Sequence, residues 1–244
     1  MTHPMPLPNR LAGEHHFRWR GGAVSRLEGL SDSAFALAMG LLVLASGDSI
    51  SWDGLRRVLH SIPVLVYCFA MLLWLWNCHF YFHRRYGLEH GLPILLNVLF
   101  IFLVLVYMVP TRYIAMLLLD KWLQLDLGYS DRWPDYGQWR ILITFYSGWF
   151  AALFGVLHLM YAHAWRHRDV LELNQAERAR TLGVKRAHLL TAGIGLSSVV
   201  LVWTAGGDLG LYLSGGIYAL TGPVNLWTGI RTDRAVQRAV AAEV

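Results

Sequence analysis

The chain has 244 residues, of which 55% are hydrophobic and 15% are charged. A soluble domain of this size carries about 25% charged residues, so the composition excludes a disordered chain, a coiled coil and an ordinary water-soluble enzyme. The net charge of +5 comes from basic residues that lie between apolar segments, which membrane topology explains better than nucleic-acid binding.

Six apolar runs are long enough to cross the hydrocarbon layer as helices, in which all backbone groups bond within the segment. They are Gly29–Ser46, Ile62–Phe82, Leu92–Pro110, Ile141–Tyr161, Ala187–Thr204 and Leu209–Ile230. We therefore predict an all-α membrane protein with six transmembrane helices in one domain, residues 26–231. Pro223 predicts a kink in the sixth helix.

The distribution of Lys and Arg predicts the orientation. Fifteen of the 21 basic residues lie before the first run, after the even-numbered runs or in the C-terminal tail. By the positive-inside rule both termini are cytoplasmic. Residues 1–25 contain several prolines and no apolar run, so we expect a flexible N-terminus without a cleavable signal peptide, and a short cytoplasmic tail at 232–244.

The first run has one apolar edge. On a helical wheel Leu41 and Leu44 fall within about 40° of Leu37. Leu30 and Ala34 continue this edge towards the N-terminus, and Asp48 lies at its outer end. Ser31 and Asp32 point about 100° or more away from it. Periodicity alone leaves open whether such an edge faces lipid, the core or a pore.

Asp32 is an ionisable residue at membrane depth, where an unpaired carboxylate costs at least about 2.5–3.5 kcal/mol. Candidate partners are Arg26, the Trp76 indole N–H and His79. Two interpretations remain: a hydrogen-bonded knot that fixes helix packing, and a proton or ion relay. The knot is favoured because no series of acids continues across the bilayer.

The sequence contains none of the motifs that indicate an enzyme. His79 and His83 are spaced as one helix face, but the glutamate of a zinc-protease motif is absent, so no metal site is expected. Phosphate-binding loops, a dinucleotide fingerprint and a nucleophile elbow are also absent. Gly193 and Gly195 favour close helix packing. We therefore expect no catalytic activity and no cofactor.

Residues 26–44, RLEGLSDSAFALAMGLLVL, resemble the signature of the transmembrane protein 175 family of potassium channels. That signature is R-x-x-x-F-S-D followed by an apolar stripe; Arg26, Ser31 and Asp32 match it, and Leu30 stands in place of Phe. Trp76 and His79 resemble the W-x-x-H of the family's second helix. Asn97 and the pair Pro110–Thr111 resemble features of its third helix.

The resemblance implies a passive cation channel, most simply for potassium, assembled as a homotetramer in a bacterial inner membrane. The first helices would line the central pore, with Leu37, Leu41 and Leu44 as its constriction. Ala34, Gly40 and Asp48 would flank it. A structural polar network would support the pore helix, formed by Arg26, Ser31, Asp32, Trp76 and His79.

Gly40 departs from the family, which commonly carries a threonine there, so weaker potassium selectivity or altered conduction is expected. Two other function classes remain open. A secondary transporter would show broken helices and polar groups near the midplane, and saturable uptake without conductance would identify it. A non-conducting membrane scaffold would show neither flux nor a symmetry axis lined by the first helix.

Overall fold

The computed structural model describes residues 16–22, 24–44, 51–125 and 133–242, and within these ranges the regular structure is helical throughout. The α-helices are α1 Arg26–Leu44, α2 Trp52–His60, α3 Ile62–Tyr86, α4 Gly91–Leu123, α5 Tyr136–Arg166, α6 Gln175–Thr204, α7 Gly207–Gly216 and α8 Thr221–Ala242. A 3₁₀ turn, Ile217–Leu220, joins α7 to α8. Five helices (α1, α3, α4, α5 and α6) are long and apolar enough to cross a membrane. The prediction of an all-α membrane protein is confirmed.

Local sequence signals fix several helix ends. Asp135 begins α5 and Asn174 begins α6, each by a capping box with the residue three positions later, which satisfies backbone N–H groups that the helix leaves unpaired. Helix α3 ends at Gly87, whose φ of 57° favours glycine. A Cβ there would also lie 3.0 Å from the carbonyl oxygen of Arg20.

Helix α4 is longer than predicted. The apolar run ends at Pro110, but the helix continues to Leu123, and Pro110 itself is buried. A proline inside a helix removes one hydrogen bond at a penalty of about 3 kcal/mol or more. Ala115, Met116 and Leu117, beyond the proline, are also buried, and this packing outweighs the penalty. At 33 residues the helix is about 50 Å long, which exceeds the hydrocarbon thickness of about 30 Å.

The sixth predicted run does not form one continuous helix. It is helical but interrupted by the 3₁₀ turn that follows Gly215 and Gly216, residues with poor helix propensity. The interruption lies before Pro223 and not at it. Pro223 is in the first turn of α8, where a missing N–H is tolerated.

The interrupted segment runs antiparallel to α6 along its length. Ser214 near its start accepts a hydrogen bond at its carbonyl oxygen from Ser198, at 2.8 Å. Asp233 near its end pairs with Arg180 at 2.8 Å. The segment thus returns from one end of α6 to the other, while the count of six membrane crossings stays a prediction.

The two pairs α5–α6 and α3–α4 enclose an aromatic core. Its fully buried members include Phe82, Phe100, Tyr107, Phe150 and Phe154. Helix α1 packs on α3 and α4 at the side of this core. In the most apolar part of α1, 28% of the residues are buried, whereas the corresponding share in α5 is 50%. Helix α1 is therefore the least enclosed together with α3, and one of its faces stays open.

Candidate pore helix and its polar network

Helix α1 presents two different faces. The buried face carries Glu28, Ser31, Phe35, Ala38 and Leu42, which recur every three or four residues as one side of a helix does. The other face carries the leucines of the predicted edge. Leu30, Leu37, Leu41 and Leu44 are 55%, 56%, 52% and 77% exposed. The protomer therefore leaves this leucine edge uncovered.

The residues predicted to flank the leucine edge are placed as follows. Ala34 is half-buried and Gly40 is exposed. A Cβ added at Gly40 would find no atom within 4 Å, so a larger side chain fits there within the protomer. Asp48 lies outside the described residues.

The buried face of α1 is held by a polar site on Asn97. The Asn97 amide donates to Ser31 Oγ at 3.2 Å, and the Ser31 hydroxyl also reaches the Leu27 carbonyl oxygen at 2.9 Å. Asn97 Oδ1 bonds with Nε2 of His79 and lies 3.3 Å from Nε2 of His83. Because an amide oxygen only accepts, each histidine donates from Nε2.

This Asn97 site joins three helices. Ser31 belongs to α1, both histidines to α3 and Asn97 to α4, and all four residues are at most 2% exposed. The His79 ring stacks on Phe100 with centroids 5.6 Å apart and lies 4.3 Å from the His83 ring. Buried polar groups without partners are costly, so the site locks α1 in one rotation about its axis.

Asp32 lies beside this site but on a more open side of α1. It accepts a hydrogen bond from Trp76 Nε1 at 2.8 Å, one of its three predicted partners. The Trp76 ring stacks on Phe80 with centroids 5.3 Å apart. This hydrogen bond between α1 and α3 favours the first interpretation of Asp32, a hydrogen-bonded group that fixes helix packing.

A small cavity of about 50 Å³ adjoins Asp32. Its lining combines acidic, basic and aromatic side chains: Val24, Glu28, Asp32, Trp76, His79, Phe80 and Arg84. Arg84 reaches Glu28 at 3.6 Å and lies over the Phe80 ring at 5.6 Å. The cavity is large enough for ordered water and too small for an organic ligand.

Arg26 stands at the first position of α1 and is exposed. The residues that pair at this end of the helix are Glu28 and Ser25. Ser25 N–H donates to Glu28 Oε2 at 3.0 Å, and Glu28 N–H donates to Ser25 Oγ at 3.1 Å. This reciprocal capping box begins α1 without using the Arg26 side chain.

Sequence reasoning did not identify two members of this network. Asn97 resembles a feature of the family's third helix, but no sequence pattern shows that it joins three helices, and Glu28 is not among the predicted site residues. The spacing S-x-x-E at Ser25–Glu28 is a capping-box signature and could have placed the helix start. No local signal places Asn97 against Ser31, because the contact spans 66 positions.

A second buried polar group holds the interrupted helix. Ser147 of α5 bonds Ser198 of α6 at 2.9 Å, and Tyr218 of the 3₁₀ turn donates to Ser147 at 2.9 Å. These hydroxyls bridge α5, α6 and the break. In the described part of the chain no group of three or more His, Cys, Asp or Glu residues could hold a metal ion.

Comparison with known proteins gives consistent matches. The family model described as endosomal/lysosomal potassium channel TMEM175 matches residues 26–110, which span α1 and the Asn97 site. A protein of Marivirga tractuosa named potassium channel is 29% identical over 231 residues, covering 91% of this chain and 93% of that protein.

Solved structures agree with this match. A crystal structure of a threonine-to-alanine variant of the potassium channel MtTMEM175 is 29% identical, with a TM-score of 0.81, over 90% of this chain and 98% of that one. A TMEM175 homologue from Chamaesiphon minutus, 20% identical with a TM-score of 0.53 over 83% of this chain and 96% of that one, shares the fold.

The predicted resemblance is therefore confirmed from three directions: the family model, a relative along most of its length, and the fold. The proteins it matches are channels and not enzymes. With several apolar helices of spanning length, the chain is a multi-pass membrane protein that resembles the TMEM175 family and matches its model at residues 26–110.

Proposed function

We propose that the chain forms a potassium channel in which four copies of α1 surround a central ion path. Its leucine edge, defined by Leu37, Leu41 and Leu44, forms the constriction. The observation that carries this proposal is the exposure of the edge: all three leucines are more than half exposed, although the opposite face of the same helix is buried and includes the polar residues Glu28 and Ser31. The family and the relatives named potassium channel supply the ion.

A lipid-facing role would explain exposed leucines equally well on an ordinary helix. Helix α1 differs because it also carries a fully buried serine and a second polar side chain, Asp32, on its other sides. A helix that only faced lipid would need neither. The Asn97 site fixes the rotation of α1, and a fixed rotation is what an inward-facing leucine edge requires.

Rings of leucine close such a path by dewetting, because water and a hydrated ion leave a narrow apolar constriction. Opening widens the ring until a partly hydrated cation passes. Ion preference then depends on pore width and on nearby backbone dipoles. Gly40 adds no hydroxyl beside the ring, which supports the expectation of weaker selectivity. Asp48 would raise the local cation concentration at the outer mouth.

We place the channel in a bacterial inner membrane with both termini in the cytoplasm. The arginine distribution supports this orientation. Both terminal segments that are predicted to be cytoplasmic also contact the start of α6: Arg20 contacts Glu177, and Asp233 contacts Arg180. Potassium or another monovalent cation and the lipid bilayer are then its partners, and three further copies of the chain supply the remaining sides of the pore.

Of the two alternatives, a secondary transporter and a non-conducting scaffold, the transporter has a structural feature in its favour, the interrupted segment between α7 and α8. The polar groups at that break are largely used within the protomer, by Ser147, Ser198 and Tyr218. A flux assay separates the two. A channel gives electrical current, and a transporter gives saturable uptake without conductance.

The test is potassium and sodium flux through the purified protein in liposomes, for the wild type and Leu41→Ala. The shorter side chain widens the constriction. It should raise flux about tenfold, which is equivalent to an energy barrier for ion passage lower by about 1.4 kcal/mol, and it should reduce the preference for potassium. Leu159→Ala is the matched control, because Leu159 on α5 is also 52% exposed. Wild-type flux equal to that of empty liposomes would refute conduction, and equal effects of the two variants would refute the constriction.

A further inference from the structure

The segment before α1 is bound to a distant part of the protomer. Among the described helices α1 packs against α3 and α4 and makes no contact with α5–α8. Residues 17–22, which we call the strap, precede α1 and reach α6 instead. The expected flexible N-terminus therefore includes a docked portion, and Phe17 within it is 2% exposed.

Glu177 is the anchor of the strap on α6. Its carboxylate is fully buried and accepts from the Arg18 backbone N–H at 2.7 Å. The Arg20 guanidinium donates to it twice, at 2.7 and 3.2 Å, and the Asn174 N–H donates at 3.1 Å. Removing one partner of such a buried ion pair strands a charge away from water.

Arg20 is itself held from several directions. Its Nε donates to the Leu171 carbonyl oxygen at 2.8 Å, and its guanidinium lies 5.8 Å from the Phe17 ring centroid. Phe17 in turn packs edge-on against Tyr86, near the end of α3. The strap thus clamps the link between α5 and α6 to the end of α3.

Arg84 of α3 links the strap to the first turn of α1. Gly21 N–H donates to the Arg84 carbonyl oxygen at 3.1 Å, and Arg84 Nη1 donates to the Gly22 carbonyl oxygen at 2.9 Å. Arg84 Nε also lies 3.6 Å from Glu28 Oε1 on α1. A Cβ at Gly21 would stand 2.7 Å from the His83 carbonyl oxygen, so this close approach requires glycine.

We propose that Arg20 and Glu177 are positioning residues that fix the N-terminal end of α1 and thereby limit how often the ion path opens. The inference rests on the proposed function, in which α1 lines the path. Helix α1 has an open face and lacks contact with α5–α8, so the strap connects it to that half of the protomer. Releasing the strap frees the N-terminal end of α1 to move away from the axis.

Single-channel recording of the full-length protein in planar bilayers tests this. Glu177→Gln removes the charge but keeps an oxygen for the cap, since glutamine also serves at this position of a capping box. Arg20→Gln removes the other charge. Arg180→Gln is the control, because it breaks the ion pair of α6 with Asp233 on α8 and leaves the strap intact.

Both strap variants should raise open probability by about threefold or more, as loss of a charge-assisted hydrogen bond allows. Unitary conductance, set by the leucine ring, should not change. The double variant should go no further than either single one, and Arg20→Lys should stay nearer the wild type than Arg20→Gln. An unchanged or lower open probability in folded oligomers, or an equal rise in Arg180→Gln, would overturn the inference.

Hydrogen exchange of the same variants gives a readout that does not depend on conduction. Amides at residues 28–33 should exchange faster in Glu177→Gln than in the wild type or Arg180→Gln. If the wild type carries no current, the proposed function fails, and exchange alone then decides whether the strap holds α1. Equal exchange in all three proteins would overturn the holding role itself.

Discussion

Ser31 of α1 and Asn97 of α4 hydrogen-bond each other inside a site from which both solvent and lipid are excluded. Both are 0% exposed, and Asn97 Nδ2 lies 3.2 Å from Ser31 Oγ. The amide oxygen of Asn97 also accepts hydrogen bonds from two histidines of α3, His79 and His83. The orientation of the leucine edge therefore depends on one asparagine side chain.

Asn97→Leu should destabilise the protein strongly. The substitution leaves Ser31, His79 and His83 without this shared partner, and stranded buried polar groups cost about 1–3 kcal/mol each. We expect a clear fall in the thermal midpoint of the detergent-solubilised protein. Asn77→Leu on α3 is the control, because Asn77 is exposed and surface changes lie within about 0.5 kcal/mol. Equal midpoints for the two variants would contradict the role given to Asn97.

Asp32→Asn should conduct like the wild type. Asparagine keeps the oxygen that accepts from Trp76, so the packing knot survives the loss of charge. Asp32→Ala and Trp76→Phe each remove that bond and should lower flux or the yield of folded oligomer. If Asp32→Asn reduces potassium flux in liposomes as much as Asp32→Ala does, the charge itself matters and the relay interpretation gains support.

Gly195→Ala should weaken the packing of α5 on α6. A Cβ at Gly195 would lie 2.8 Å from the Ser147 carbonyl oxygen, and overpacking of this kind costs about 1–3 kcal/mol. Gly193→Ala, two residues away on the same helix, meets no atom within 4 Å and should be neutral or slightly stabilising. Thermal unfolding of both variants decides the point, and a Gly195→Ala midpoint at or above that of Gly193→Ala would refute it.

Gly40→Thr should raise the preference for potassium over sodium. The site is open within the protomer, so threonine fits there and adds a hydroxyl beside the leucine edge, where a dipole can contact a passing cation. Gly148→Thr on α5, also in open space, controls for the added side chain. Reversal potentials under mixed ions measure the preference. A Gly40→Thr channel with unchanged reversal potential would remove Gly40 from the ion path.

The sequence predicted the faces of α1 because they depend on local periodicity. Ser31 falls on the buried side and Leu37 on the exposed side, as a period of 3.6 residues requires. Asp32 meets Trp76, one of three partners that residue chemistry allowed. Periodicity separates one face from the other, but it does not say what covers either of them.

Contacts between distant segments were not predictable in this way. Arg20 and Glu177 are 157 positions apart, and neither lies in an apolar run whose pattern could reveal the partner. Helix α4 continues past Pro110 because of burial that forms only in the fold. The break before α8 follows Gly215 and Gly216, but the hydroxyls of Ser147 and Ser198 that hold it reach it from other helices.

Cysteine accessibility tests the central claim most directly. Leu37→Cys and Leu41→Cys are compared with Leu159→Cys on α5, whose parent leucine is as exposed as Leu41, in a background lacking Cys68 and Cys78. If α1 surrounds the ion path, a charged, water-soluble thiol reagent blocks potassium current in the two α1 variants and leaves the Leu159→Cys current unchanged. Current that persists in both α1 variants after confirmed labelling of the thiols would show that ions travel elsewhere.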